Sequence, residues 1–513
     1  MTTTPPPSSE SRLSATRFWW LVGLIMLLAL GWRAYRLSEP AFDHDEVYEL
    51  TQRTTDLSVL VRRHDGFPPL YRWLVALVRE TLGTDASLRW FSLVCGVLTV
   101  PLVALLGRRL VGPQTGLVAA IGLAISANHV LLSQHGRGYA LLVLLATAML
   151  LTAWRLRASD RWRDWFAFLV VSWLGVATHY YVGLLLVLLG GLLLIEKRGF
   201  ARMRALAAAG VLALAGLPLV ECLRVDLAET GEFHHEVSFD KEAYAFSYLW
   251  LGTGNTLGPS VSWLRETVSG GRKSAAVLAT APWACLLFVP AAYLFANGWR
   301  RLAQQDRRWM AVLLLAPPPL TAMAAAASPT GYNYRYLVWM LVPLIVVLAA
   351  GVTVRGRSGL TWLAVGLLIA LSLGATLNRH FDPAHRENDF HEVTRLIARE
   401  DVTGESPAVI AAPLYFGRAV LYELPASWPA ARVTAHPSGQ QDWEVALPRF
   451  AERVGERQEV WLVTQWFPVG HPQRAVCDAL VKRLDAELVG RVSSTVMVYR
   501  LSVDRLGSIE AAD

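Results

Sequence analysis

The sequence predicts a membrane all-α protein, a polytopic bundle of about eleven transmembrane helices with a small C-terminal extracytoplasmic α/β domain. Two features of composition and one of charge carry that expectation. Of the 513 residues, 54% are hydrophobic and only 17% are charged, with a mean hydropathy of +0.35. A soluble protein would carry roughly a quarter charged residues. The apolar residues are also clustered: Trp19–Leu30, Val182–Ile195 and Leu337–Gly351 hold almost no charge. A bilayer-spanning helix needs roughly 20 mostly apolar residues. Many such stretches, each closed by Arg or Lys, cannot all be buried helices of one soluble core.

Spans are expected near 18–36, 88–107, 115–133, 138–154, 165–178, 181–195, 205–220, 275–296, 309–327, 336–352 and 359–377. Alternate loops carry Arg12/Arg17, Arg108/Arg109, Arg155/Arg157/Arg161/Arg163, Lys197/Arg198/Arg202/Arg204, Arg300/Arg301/Arg307/Arg308 and Arg355/Arg357. The opposite short turns hold little positive charge beyond Arg137 and Arg335. The positive-inside rule then puts the N-terminus in the cytoplasm, and an odd span count puts the C-terminal tail outside a plasma (inner) membrane. The first span has a basic start but no clear small-residue cleavage site before Pro40, so it is expected to be an uncleaved anchor. The organisation expected is a disordered cytoplasmic N-terminus (1–17), a transmembrane domain (18–377) with external loops 38–87 and 221–274, and an outer domain (378–513). That tail mixes strand-like runs (Pro407–Ala412, Glu459–Gln465, Ser494–Leu501) with amphipathic helical ones (Trp443–Val454, Arg474–Leu484).

The net charge of +7 does not point to nucleic acid, because the surplus sits in short loops between apolar spans. Cys95, Cys222, Cys285 and Cys477 are scattered, with no zinc-type spacing or disulfide framework.

Chemistry concentrates outside. The first external loop opens with Phe42-Asp43-His44-Asp45-Glu46-Val47-Tyr48-Glu49. These acidic groups could simply cap the helix exit and face water, or one could act as a general base or bind a metal. A base near the interface is partly desolvated, which raises a carboxylate's pKa. Next comes Arg62-Arg63-His64-Asp65-Gly66-Phe67-Pro68-Pro69-Leu70-Tyr71. Its double proline precedes an apolar stretch, Leu70–Leu82, that is too short to span and is expected to lie as an interfacial helix. His44, Asp45, His64 and Asp65 could assemble a divalent site, although no cofactor is expected to be required.

Arg137, in Ser133-Gln134-His135-Gly136-Arg137-Gly138-Tyr139, could snorkel to headgroups. Flanked by two glycines, it also suits an anionic ligand. Arg335, in Tyr332-Asn333-Tyr334-Arg335-Tyr336, is similar: a cation set among aromatics. His179-Tyr180-Tyr181 marks another outside turn, whose tyrosines are interface anchors first and groove-lining residues second. His234-His235-Glu236 and Asp240 read as solvated loop residues.

In this order, the motifs resemble those of bacterial membrane glycosyltransferases of the GT-C class. The nearest group is the dolichyl-phosphate-mannose protein mannosyltransferase-like (family 39) set, which includes the lipid A aminoarabinose transferases. Asp45-Glu46-Val47-Tyr48 looks like that family's acidic pair, and Asp65-Gly66-Phe67-Pro68-Pro69-Leu70-Tyr71 like its Asp-x-His-Pro-Pro-Leu stretch. Leu131 to Leu141 looks like its Ser-Gln-Glu-Ala-Arg-x-Tyr-Ala-Leu signature, and Arg335-Tyr336-Leu337 with Pro343 like a looser fourth element. Phe67 stands where the family has His, and His135-Gly136 where it has Glu-Ala.

The resemblance covers about residues 18–377 and implies a GT-C hexosyl- or pentosyltransferase. It would move one mannose- or arabinose-type sugar, with inversion, from a polyprenyl-phosphate donor to a hydroxyl of a protein, lipid or polysaccharide acceptor. Asp45 is then the base with Glu46 as support or alternative, Arg137 and Arg335 bind the donor phosphate, and Tyr139 orients it. His44, His64, Asp65 and Tyr334 would line the site or meet the acceptor. The alternative is a multi-pass transporter or flippase of lipid-linked cell-envelope precursors, which would carry ionisable groups at mid-membrane.

Overall fold

The computed structural model describes residues 13–51, 54–61, 67–234, 241–327, 334–354, 358–385, 389–401, 403, 405–432, 443–454, 459–467, 472–492 and 495–507. Helix α1 (Ala15–Ala34) begins where Ser14 accepts a hydrogen bond from the Arg17 amide, 3.2 Å, satisfying one of the amides a helix start leaves bare. Short helices α2 (His44–Thr51), α3 (Leu57–Val61) and α4 (Leu70–Leu82) follow. Helix α4 starts after Pro68-Pro69 and stops at Gly83, whose φ of +65° suits glycine at a helix C-terminus. It buries Tyr71 and Val75 against α5 (Ser87–Leu110).

The chain continues through α6 (Pro113–Ile125), α7 (Ala127–Ser133), α8 (Tyr139–Ala158), α9 (Trp162–Thr178), α10 (Val182–Glu196), α11 (Gly199–His234), α12 (Lys241–Thr253) and α13 (Val261–Ser269). Then come α14 (Lys273–Arg301), α15 (Gln304–Leu315), α16 (Pro317–Ala327), a 3-10 stretch (Tyr334–Met340) leading into α17 (Leu341–Val352), and α18 (Gly359–Phe381).

Among the described residues, seven helical stretches are long and apolar enough to cross a bilayer: Ala15–Ala34, Ser87–Leu110, Tyr139–Ala158, Gly199–Arg224, Lys273–Arg301, Tyr334–Val352 and Gly359–Phe381. Bent by 61°, α6 and α7 together pass the same test, as one broken span or as a re-entrant loop. Large apolar side chains such as Trp20, Leu27, Leu28, Leu214 and Leu278 lie exposed on these helices, as lipid-facing residues do. The chain is a multi-pass membrane protein, and these stretches account for seven or eight of the eleven expected spans. The expected spans at 165–178 and 181–195 fall on helices of 17 and 15 residues. The one at 309–327 is split at Ala316, where Pro317-Pro318-Pro319 removes three amide donors. The span count therefore no longer fixes the side of the tail.

The expected span 115–133 is broken at Ser126, and Arg33 fills the break. Its guanidinium donates to Ala124 O (2.9 Å), Leu123 O (3.2 Å) and Ser133 Oγ (3.2 Å), and meets His129 Nδ1 at 2.8 Å. It thus covers Ala124 O at the end of α6, and adds a second donor to Leu123 O, which also accepts from the Ser126 amide. Close packing elsewhere depends on small residues. A Cβ on Gly298 would lie 1.9 Å from Val347 O, and one on Gly351 would lie 2.0 Å from Leu294 O, so α14 and α17 meet backbone to backbone.

After α19 (Phe390–Glu400) the chain forms β1 (Val409–Ala412), α20 (Leu414–Glu423), β2 (Ala430–Arg432), α21 (Trp443–Val454), β3 (Glu459–Gln465), α22 (Pro472–Arg483), β4 (Glu487–Val492), β5 (Val496–Ser502) and α23 (Asp504–Gly507). The sheet order is β2-β1-β3-β5-β4, with β1 parallel to β2 and β3, and β5 antiparallel to β3 and β4. Apolar clusters cover both faces, which is why β1 is buried throughout. The expected strands and both expected helices are present; β2, β4, α19 and α20 were not anticipated. Helix α20 lies against α2: Glu423 Oε1 accepts from the Phe42 amide at 2.8 Å, Arg418 lies 5.4 Å from the Tyr48 ring, and Tyr422 hydrogen-bonds Asp85. The sheet unit thereby rests on the loop that carries the acidic cluster.

Candidate active site

Helix α2 starts with a reciprocal cap. Asp43 Oδ1 accepts from the Glu46 amide (2.8 Å), and Glu46 Oε2 accepts from the Asp43 amide (3.1 Å). With the start fixed, helical spacing sends the three following carboxylates in different directions. Glu46 is 1% exposed. Its Oε1 accepts from Arg89 Nε (2.8 Å) and the Gly136 amide (2.7 Å), and its Oε2 also accepts from Arg89 Nη2 (2.6 Å). The other Arg89 donors reach Leu37 O, Pro40 O and Ala41 O. Glu46 and Arg89 therefore lash the first loop to α5 and to the 134–138 turn. A side chain at Gly136 would collide with Leu88 and with Glu46 Oε1.

Glu49 is buried as well, accepting from Arg137 Nη1 (2.6 Å) and Arg72 Nε (3.1 Å). Asp45 alone of the three stays partly open, its side chain 31% exposed, with Oδ2 3.9 Å from Arg137 Nε. Burial raises its pKa, but Arg137, and then His44, outweigh that and hold it below the usual aspartate value. The expectation of a raised pKa is corrected here: a fixed guanidinium beside the carboxylate stabilises the anion more than partial burial destabilises it. Asp45 is ionised at neutral pH.

Arg137 lies at the start of α8, 4.6 Å from the centroid of Phe67. Burial disfavours its charge, yet Asp45 and Glu49 overcome this and raise its pKa. Apart from Nη1, its guanidinium nitrogens have no hydrogen-bond partner among the described residues. Arg335 lies 5.9 Å from the rings of both Tyr139 and Tyr334 and within electrostatic reach of Asp45. Tyr139, buried, lies within electrostatic reach of both arginines. The fold thus brings together Asp45, Arg137, Tyr139, Arg335 and Tyr334, from three separate stretches of sequence. His44 remains exposed, its Nε2 3.5 Å from Asp45 Oδ1. His64 and Asp65 lie outside the described residues.

Two of the four residues of the expected divalent set, His64 and Asp65, lie outside the described residues, and another group comes together among those described. There, Asp43, Glu46 and His135 converge, with ligand atoms within 4.8 Å of one another. His135 Nε2 lies 2.5 Å from Asp43 Oδ2, and this pairing, against the opposing effect of burial, holds the Asp43 pKa well below its usual value. Glu46 already has its charge balanced by Arg89, so a cation there would compete with a guanidinium in place. The set fits a structural lock better than a metal centre.

Sequence reading missed Arg89, Arg72, His135 and Tyr336. Arg89 had a signal, since an arginine in the first turn of an apolar span needs a partner. His135 showed only as a departure from the family signature, and Tyr336 had no signal before the turns folded together.

Residues 67–220 match the family described as dolichyl-phosphate-mannose-protein mannosyltransferase. The resemblance read from the motifs is borne out. The mannosyltransferase-like stretch contains Phe67, Arg137, Tyr139 and His179, and stops short of Asp45 on one side and Arg335 on the other. No curated protein matches the chain. Among solved structures, ArnT from Cupriavidus metallidurans in the apo state aligns at 15% identity and a TM-score of 0.47, covering 98% of this chain and all of that one. The oligosaccharyltransferase of Archaeoglobus fulgidus in the apo form aligns at 13% identity and 0.49, covering 89% of this chain and 70% of that one. The arabinofuranosyltransferase AftD from Mycobacteria aligns at 12% and 0.43, covering 96% and 40%.

Proposed function

We propose that the protein is a glycosyltransferase that moves one sugar from a polyprenyl-phosphate donor to an acceptor hydroxyl at the outer membrane face, with inversion and without a required metal. The observation that carries this reading is the contrast on α2. Three carboxylates follow the cap, two are tied to buried arginines, and the half-open third, Asp45, faces Arg137.

The acceptor oxygen attacks the anomeric carbon as the bond from that carbon to the phosphate oxygen breaks. Asp45 takes the hydroxyl proton. The electron pair leaves on the phosphate, where Arg137 and Arg335 stabilise the added charge. A base held as an anion beside a cation is always in the accepting state, at some cost in intrinsic basicity. Glu46 is unsuited to the task, since its oxygens are occupied. A polyprenyl tail is met only in the bilayer, which suits a site at the ends of apolar helices.

The test is transfer by Asp45→Asn and Arg137→Ala proteins that insert and fold as wild type does. The expected loss for Asp45→Asn is roughly 10²–10⁴-fold in kcat. Unchanged transfer by folded Asp45→Asn would overturn the assignment.

A further inference from the structure

The turn between α9 and α10 carries a group that the proposed reaction does not use. His179 is 3% exposed and lines a cavity with Phe67, Tyr71, Arg137, Tyr139 and Thr178. Its Nδ1 accepts from the Tyr181 amide at 3.2 Å. An imidazole nitrogen that accepts carries no proton, so in the neutral ring the proton is on Nε2. That Nε2 is buried and has no partner among the described residues. Burial and the neighbouring Arg137 push the imidazolium down to about 3, so the ring is neutral in the physiological range. The result is a fixed, uncharged N–H donor buried in the wall of that cavity.

Rings surround it. Phe67 and Tyr336 have centroids 5.2 Å from the imidazole, and Tyr139 and Tyr181 are at 5.9 Å. A buried donor left unmet costs roughly 1–3 kcal/mol, so a ligand oxygen is the natural partner. A lipid tail has none to offer. A phosphate has oxygens, but the cation beside this cavity is Arg137, and a neutral imidazole adds no charge to it. A sugar presents both a C–H face for the rings and hydroxyls for the N–H.

We infer that His179, with Phe67, Tyr139, Tyr181 and Tyr336, forms the subsite for the donor's sugar ring, Nε2–H donating to one sugar hydroxyl. This rests on the transferase reading and adds a specificity-determining residue to it.

The test is binding, which does not depend on turnover. The full-length protein in lipid nanodiscs is titrated with undecaprenyl phosphate and with its mannose, glucose, arabinose and aminoarabinose conjugates. Wild type is expected to bind at least one conjugate about tenfold or more tighter than bare undecaprenyl phosphate, in line with one buried hydrogen bond plus ring contact. His179→Phe is expected to erase most of that preference and leave the Kd for undecaprenyl phosphate within about twofold. His179→Gln, which keeps an N–H, is expected to restore part of it.

Equal binding of every conjugate and the bare phosphate by wild type would overturn the subsite. So would a His179→Phe protein that weakens bare phosphate and conjugates by the same factor, since that marks packing or phosphate contact. Wild type that prefers a conjugate yet transfers its sugar to no acceptor would instead overturn the transferase reading and leave the subsite standing.

Discussion

At one end of α8, Arg157 donates to Asp306 (2.5 Å), Glu196 (3.0 Å) and Gln305 (3.2 Å), with its guanidinium 4.8 Å from the Trp309 ring. At the other end, Arg137 donates to Glu49 (2.6 Å), with its guanidinium 4.6 Å from the Phe67 ring. The ingredients are the same: one arginine, acidic partners and aromatic rings, about 30 Å apart along a helix rising 1.5 Å per residue. Their completion differs. Around Arg157, Trp154 Nε1 donates to Asp306 (2.9 Å) and Trp309 Nε1 to Glu196 (2.7 Å), and none of the buried unpartnered atoms belongs to this set. Around Arg137, Asp45 stays partly open, two guanidinium nitrogens lack hydrogen bonds among the described residues, and His179 Nε2 is unmet. A closed network fastens α8, α10 and α15 together. An open one is left incomplete for a ligand.

Four substitutions sharpen that contrast, taken from the largest effect down. Arg89→Met removes the partner of buried Glu46 and should destabilise the protein by about 3–5 kcal/mol, since it strands a buried charge; thermal unfolding in detergent measures it. Arg137→Gln should lower kcat/KM roughly 10²–10³-fold and move its acid limb. Asp45 accepts a proton only when ionised, so activity falls as pH drops through its pKa. The wild-type limb should therefore lie below the ordinary aspartate value of about 3.9. Without the guanidinium, burial acts with less opposition, and the limb should shift to higher pH.

Arg157→Leu, at the closed end, should cost about 1.5–3 kcal/mol of stability through lost charged hydrogen bonds, with transfer per folded molecule unchanged. Loss of activity beyond the loss of folded protein would break the comparison. Arg335→Gln, farther from Asp45 than Arg137 is, should cost about tenfold in kcat/KM, about 1.4 kcal/mol.

What was legible in the sequence follows the same division. Apolar runs marked the membrane helices because lipid demands them, yet they did not foresee the break that Arg33 fills. Asp45, Arg137, Tyr139 and Arg335 could be named because each sits in a short motif at a helix end. Their roles needed the fold. Glu46 is adjacent to Asp45 in sequence, but it points to Arg89, and only the close approach of α2 to α5 distinguishes base from strut. Phe67 stands where the family pattern has histidine, and its ring lies beneath Arg137 and against His179, contacts that join three distant segments. The β2 and β4 strands escaped notice because β2 is three residues long and β4 lacks a clear alternation.

The open end differs from the closed one in function only if it transfers sugar. The direct measurement incubates the purified, folded protein with radiolabelled polyprenyl-phosphate sugars and membrane acceptors. Label should pass from at least one donor to an acceptor, with loss of that transfer in Asp45→Asn. Label that moves from no donor, or that crosses a sealed vesicle still attached to its lipid, would contradict it.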